Sequence, residues 1–275
     1  MPAWTWFELA IALAYLAGAA LYPLGLGLRQ PLCKKAASLA SALGFLLHSA
    51  DLAAAGLLQA DVLQHGQFYI SLFAWLCVLV FFVAWWRFKH DFLSLITAPL
   101  AVVLFTGSMV IHPATTIVPE HLSLLWFGLH VGAIFVALAL LALAFGAGVG
   151  YVYLERKIKT KSKIPSALQE MPALDTLDRV NALAVSVGFP LYSISMLSGF
   201  IWAAFTWKRV LTGDPKEVVS LGIWVLYAIL FHQRLALGWK GRKPAKMAIA
   251  IFLLSLGSLV LINFLLPTHH SLRAF

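Results

Sequence analysis

The sequence predicts an all-α, polytopic membrane protein with eight transmembrane helices, and three observations lead to this fold class. Hydrophobic residues make up 61% of the 275 residues and charged residues only 11%, whereas soluble domains carry about 25% charged residues. Apolar runs of about 20 residues, the length that a helix needs to cross a bilayer, recur along the chain. The basic residues fall between these runs. Because hydrocarbon offers no hydrogen-bond partners to the backbone, each run is expected to be helical.

Eight apolar spans follow one another without room for a large soluble domain, so we expect one integral membrane domain over residues 1–275. The fifth and sixth spans are longer than a bilayer requires, and we expect them to tilt or to project from it. The predicted ranges are Trp4–Leu28, Ala36–Leu58, Phe68–Trp85, Phe92–Ile111, Leu124–Leu154, Asn181–Trp207, Val218–Leu237 and Met247–Leu266.

The distribution of Lys and Arg predicts the orientation of the chain. Sixteen of the 20 basic residues lie in the loops after spans one, three, five and seven, and four lie on the other side. Because cytoplasmic loops carry the excess of basic residues, both termini are predicted to be extracytoplasmic. The longest cytoplasmic loop, 155–180, is basic and is expected either to set the topology alone or to contact anionic lipid or a soluble partner. The net charge of +9 is therefore assigned to the loops and not to nucleic-acid binding.

Several of the nine histidines fall at depths where an imidazole is costly and is a candidate functional group. His130 opens the buried part of span five, and His270 follows span eight at a similar outer level. Neutral imidazole is a common ligand of haem iron, so these two rings are predicted to bind one iron from both faces. The alternative is that each is an interfacial histidine bonded to a carbonyl. His48, within span two, and His232, near the cytoplasmic end of span seven, form a second candidate pair inside the membrane.

The outer loop 208–217, between spans six and seven, carries a second signal. Trp202 and Trp207 precede it at the membrane edge, where tryptophans often form an aromatic belt. The letters "DPKE" predict a helix start, with Asp214 as the N-cap and Pro215 as the first helical residue. Local structure accounts for these four residues but not for their place beside two tryptophans and two outer histidines.

Residues 120–275 resemble the CcsA/HemX branch, including YpjD-like proteins, of the haem-handling membrane proteins of cytochrome c assembly. The resemblance runs through Trp202, Trp207 and "DPKE", through "WVLYAILFHQR" and through "NFLLPTHHSLRAF". It implies non-covalently bound haem b, with His130 and His270 as external ligands, His232 as the membrane histidine and Trp202, Trp207 and Asp214 as parts of the haem-handling motif. Family ligases carry further tryptophans where this chain has Lys208, Val210, Leu211 and Gly213.

The function that the resemblance implies is haem handling in c-type cytochrome biogenesis at a bacterial cytoplasmic (inner) membrane. The chain would deliver haem to the extracytoplasmic side, and it would act as a subunit of a cytochrome c haem lyase and not as an enzyme alone. The implied partners are haem, a second assembly membrane protein and apocytochrome c. Two alternatives stay open, namely a HemX-type regulator of the glutamyl-tRNA reductase level and a transporter or electron-transfer subunit.

Overall fold

The computed structural model of the protein describes residues 3–58, 62, 65–110, 127–165, 168–211, 213 and 215–265. Within these ranges the chain forms eight α-helices, and each overlaps one of the predicted spans, which confirms the all-helical fold. In chain order they are α1 (Ala3–Gly27), α2 (Pro31–Leu58), α3 (Gly66–Phe88), α4 (Ser94–Val110), α5 (Ala133–Lys159), α6 (Leu174–Trp207), α7 (Pro215–Leu235) and α8 (Arg242–Leu265).

Seven of these helices, α1 to α7, are long and apolar enough to cross a membrane among the residues that the structure describes. Large apolar side chains point away from the protein along them, for example Leu39 at 72% and Leu57 at 85% exposure. Contiguous apolar surface of this kind marks a membrane-facing protein. The chain is thus a multi-pass membrane protein, and the crossing by α8, a helix of 24 residues, stays a prediction.

The ends of several helices differ from the predicted spans. Helix α2 begins at Pro31, five residues before its predicted start, because proline is well suited to the first helical position. Helix α6 begins at Leu174 and α5 extends to Lys159, so the segment 155–180 that we predicted as a basic loop is helical at both ends. The turns that α6 has before its predicted start contain an exposed ion pair between Arg179 and Asp175.

The helices pack as two groups that meet along α5. Helices α1 to α4 contact one another, and α5 contacts α6 and α8, while α7 packs against α6 and α8. Two apolar cores correspond to these groups, one around Tyr15, Cys77 and Phe105 and the other around Leu141 and Tyr227. Helices α3 and α4 contact α5, so α5 joins the two groups.

Candidate functional site

His130 is held against α6 at the point where α5 begins. It lies in the π-helical turn Phe127–Gly132, a geometry that often occurs at functional sites. Its Nδ1 donates a hydrogen bond to the carbonyl oxygen of Ser195 at 2.8 Å. The Ser195 hydroxyl in turn donates to the carbonyl oxygen of His130 at 2.7 Å. This reciprocal pair of hydrogen bonds fixes both the backbone and the ring of His130 relative to α6.

Gly199, one helical turn beyond Ser195, leaves the space that the His130 ring occupies. A Cβ atom at position 199 would lie 2.6 Å from Cε1 and 2.9 Å from Nδ1 of His130. Both distances are shorter than side-chain packing permits, so any larger residue would displace the ring or the helix. A glycine at position 199 is therefore required by the close approach of the histidine.

The hydrogen bond to Ser195 also decides which nitrogen of His130 can bind a metal. A carbonyl oxygen only accepts, so Nδ1 carries the proton and Nε2 carries the lone pair of the neutral ring. Ligating histidines in proteins are oriented in this way, with the second ring nitrogen donating to a carbonyl or carboxylate. The donor chemistry of His130 thus fits an axial ligand of haem iron.

The predicted motif in the α6–α7 connection lies near this ring where the structure describes it. Trp202 lies three residues beyond Gly199 on α6 and is partly exposed. Helix α7 begins at Pro215 with Glu217 in its first turn, as "DPKE" predicts. Lys216 lies in the first turn of this helix and is a basic group whose charge reaches the His130 ring.

Some predicted site residues lie outside the described residues. These are His270 and Asp214, so their position relative to His130 stays a prediction. Trp207 is the last residue of α6, and only its backbone is described.

The structure does not bring the second predicted pair, His48 and His232, together. The His48 ring is fully buried in the first group of helices, where Nδ1 pairs with the Tyr15 hydroxyl at 3.1 Å and Nε2 with the Ser71 hydroxyl at 2.8 Å. His232 is exposed on α7, in the second group. Because both nitrogens of His48 are engaged in the bundle interior, this ring is not placed to share an iron with His232.

A buried ionic network next to His232 was missed by the sequence reasoning. Arg234 Nη1 donates to Asp178 Oδ1 at 3.0 Å and Nη2 donates to Asn181 Oδ1 at 2.5 Å. The Asn181 amide donates to the carbonyl oxygen of Ala144 at 2.8 Å, and the Gly241 N–H donates to Asp178 at 2.9 Å. Gly241 has φ +79°, a conformation that glycine adopts readily. The signal in the sequence was Arg234 within the seventh apolar span, together with Asn181 at the beginning of the sixth and Asp178 just before it.

Comparison with known proteins gives a family match over most of the chain. The sequence model of a family described as "Cytochrome C assembly protein" matches residues 65–270, which is most of the chain. The chain belongs to this family. The match includes α3 to α8 and ends at His270, so it contains every predicted site residue except His48.

Individual relatives match a shorter part of the chain. The cytochrome c biogenesis protein CcsA of Gloeothece citriformis is 39% identical over 92 residues, which are 33% of this chain and 28% of that protein. CcsA of Thermosynechococcus vestitus is 36% identical over 95 residues, 34% of this chain and 30% of its own length. CcsA of Gloeobacter violaceus is 34% identical over 110 residues, 38% and 31% of the two chains. The chain thus covers less than a third of the length of these curated relatives.

Proposed function

We propose that this protein binds haem b non-covalently at the outer face of a bacterial cytoplasmic membrane and handles it for c-type cytochrome biogenesis. The observation that carries the proposal is the clamp on His130. A member of a cytochrome c assembly family holds one imidazole by Nδ1 against α6, with Nε2 as the nitrogen that can bind a metal.

His130 and His270 are the proposed ligands of the haem iron. The predicted crossing by span eight would carry His270 to the outer level, at the depth proposed for His130. Bound haem would supply the iron porphyrin that becomes attached to a c-type cytochrome. With both imidazoles bound, the site would suit carriage of haem and not oxygen chemistry.

The outer ends of α6 and α7 supply the proposed contacts to the ring. Trp202 and Trp207 pack against the porphyrin, because indole rings bury large apolar area and stack on flat π-systems. Lys216, whose charge acts on His130, pairs with a propionate. Asp214 is the proposed N-cap of α7, two residues before Lys216.

His232 is proposed as a second haem ligand, reached from the cytoplasmic leaflet. Its ring is exposed on α7, where haem can approach along the membrane. The Arg234 network holds this part of α7 against α6. His48 is left out of the haem proposal because the bundle interior encloses it and engages both ring nitrogens.

Delivery of haem requires partners, namely a second assembly membrane protein and apocytochrome c. In this role the chain is a subunit of a haem lyase that positions the reactants, and positioning is where such a subunit accelerates the reaction. Both termini and the α6–α7 connection lie outside the cytoplasm in this proposal. The 16-to-4 distribution of basic residues supports this orientation.

A HemX-type regulator of haem biosynthesis is the second candidate. It is favoured by the smaller number of tryptophans in the α6–α7 connection. Val210 and Leu211 are 53% and 58% exposed where family ligases carry tryptophans. A regulator would alter the level of glutamyl-tRNA reductase while leaving c-type cytochromes intact. Deletion of the gene, followed by measurement of both quantities, separates the two candidates.

Haem binding is tested by visible spectra and the pyridine haemochrome assay on the full chain purified in mild detergent. The wild type is expected to show the sharp bands of low-spin haem with two histidine ligands. His130→Gly and His270→Ala are expected to lose haem or to become high-spin, and added imidazole should restore the low-spin spectrum of His130→Gly. His269→Ala and His90→Ala are matched controls that should keep the spectrum. Unchanged low-spin haem in both ligand variants would refute the assignment.

A further inference from the structure

A second polar site lies in the first three helices, apart from the proposed haem site. It consists of Glu8 and Tyr15 on α1, His48 and Asp51 on α2, and Ser71 on α3, and we refer to it as the α1–α3 polar cluster. Four of its five members precede residue 65, where the family match begins. Its residues therefore need an explanation of their own.

The inner end of the cluster is a closed hydrogen-bonded group. His48 is fully buried, Tyr15 is 3% exposed and Ser71 is 7% exposed. The two hydroxyls engage both nitrogens of the His48 ring, and the Phe105 ring of α4 covers its edge at a centroid distance of 4.6 Å. A neutral imidazole is satisfied by these two partners, one as donor and one as acceptor.

Asp51, one helical turn from His48, lacks such partners. It is 8% exposed, and its Oδ1 has no hydrogen-bond partner among the residues that the structure describes. An ionised carboxylate buried without a partner is among the most costly groups in a protein interior, and within a membrane it marks a functional position.

Asp51 forms no ion pair with a Lys or Arg side chain among the residues that the structure describes. The sequence has no Lys or Arg at 1–28, 36–86 or 90–155, ranges that include α1 and nearly all of α2 to α5. Lys34 lies on α2, but 17 residues away, which is about 25 Å along a helix, and it pairs with Glu170 at 2.6 Å. Burial itself opposes the ionised form of Asp51, and a second carboxyl group, that of Glu8 on α1, lies at the same end of the bundle. Burial and a like charge both favour the protonated form of a carboxyl group.

We propose that Asp51 is a proton-binding site inside the membrane. Glu8 is half-buried and lies about 8 Å from the beginning of α1, and Asp51 lies about 10 Å from the end of α2, at the same end of the bundle. Tyr15, His48 and Ser71 close the cluster on the inner side.

A hydrophobic carbodiimide, dicyclohexylcarbodiimide, tests this assignment directly. The reagent enters the membrane and reacts with a protonated carboxyl group, whose oxygen bonds to the carbodiimide carbon while its proton moves to nitrogen. The resulting O-acylisourea rearranges, as the acyl group moves from oxygen to nitrogen, to a stable N-acylurea that peptide mass spectrometry assigns to one residue. The experiment uses the full chain in liposomes at a series of pH values from 6 to 9.

The expected result is labelling of Asp51 at pH 7, at least about tenfold above that of Asp178. Asp178 is a matched buried control because its Oδ1 is paired with Arg234, whereas Oδ1 of Asp51 has no partner among the described residues. Labelling of Asp51 should fall as the pH rises. Glu8→Gln removes the neighbouring negative charge, so this fall should occur at lower pH than in the wild type.

The neutral variant Asp51→Asn provides a second measurement, because an amide imitates the protonated carboxyl group. It should abolish the label and keep the thermal stability of the protein, whereas Asp178→Asn should lower that stability. Absence of label on a detected Asp51 peptide at pH 6 would overturn the proposal. Protection of Asp51 by sodium chloride but not by choline chloride would overturn it as well, since the site would then bind a metal cation. None of these results depends on haem.

Discussion

Replacing Asp178 by alanine is expected to destabilise the protein strongly, because it leaves a buried arginine without its counter-ion. The side chains of Arg234 and Asp178 are 4% and 12% exposed, and Nη1 lies 3.0 Å from Oδ1. The same oxygen accepts the backbone N–H of Gly241. Alanine therefore removes an ion pair and the hydrogen bond that fixes the turn between α7 and α8.

The size of the effect follows from the burial of the pair. Removing one partner of a buried ion pair costs about 3–5 kcal/mol, since the remaining charge stays buried without compensation. The lower limit applies because Arg234 keeps the Asn181 oxygen at 2.5 Å and the Trp239 carbonyl oxygen at 3.3 Å. A loss of about 3 kcal/mol changes the unfolding equilibrium roughly 150-fold.

Reversible unfolding in mixed micelles of mild detergent and dodecyl sulfate, followed by circular dichroism, measures this difference. Asp175→Ala is the matched control, because Asp175 and Arg179 form an ion pair in which both side chains are 72% exposed. Exposed pairs of this kind contribute less than about 1 kcal/mol. Asp178→Asn keeps an acceptor for Gly241 and should lie between the two. Equal stabilities of Asp178→Ala and Asp175→Ala would show that the network does not hold α7.

Two further predictions concern glycines at helix contacts, and Gly107→Ala is the control for both because a Cβ atom there meets nothing within 4 Å. Gly199→Ala is expected to weaken haem binding about tenfold in a haem titration. Its Cβ atom would lie 2.6 Å from Cε1 of His130, and relieving this contact costs about 1–3 kcal/mol. An affinity equal to that of the control would contradict the contact between His130 and α6. Gly148→Ala is expected to lower the free energy of unfolding by about 1–3 kcal/mol, because its Cβ atom would lie 2.9 Å from the carbonyl oxygen of Ala245 on α8. Unchanged unfolding of that variant would contradict the close contact of α5 with α8.

The helices of this protein are predictable from sequence because hydrocarbon leaves the backbone few alternatives. Each apolar run of sufficient length becomes helical, since only a helix satisfies its own polar groups within one segment. The helix ends are less predictable. Helix α6 begins at Leu174, seven residues before the predicted start, because its first turns are amphipathic. Leu177 is fully buried, while Asp175 and Arg179 are exposed. Because these turns contain charged residues, they do not count as part of an apolar run, and the predicted span therefore begins after them.

The facing direction of each histidine is the part that the sequence does not determine. The rise of 1.5 Å per residue gives depth along a helix, but the rotation of the helix decides which neighbour a side chain meets. His48 therefore has a predictable depth, and its contacts with Tyr15 and Ser71 depend on the packing of α1 to α3. The same limit explains Arg234. It lies two residues after His232, which is about 200° around the helix, so Arg234 faces the protein when His232 is exposed.

Helix α6 is the element that relates the two proposed haem positions to each other. Near its N-terminal end, Asp178 and Asn181 bind Arg234 and so hold the turn of α7 that carries His232. About 21 Å further along the helix, Ser195 binds His130. A rigid α6 would fix the separation of the two histidines, and haem would have to leave one before reaching the other. Loss of the Asp178 contact should therefore disturb a haem bound by His232. The contacts of His130 with Ser195, and the visible spectrum of a haem bound by His130, should stay unchanged.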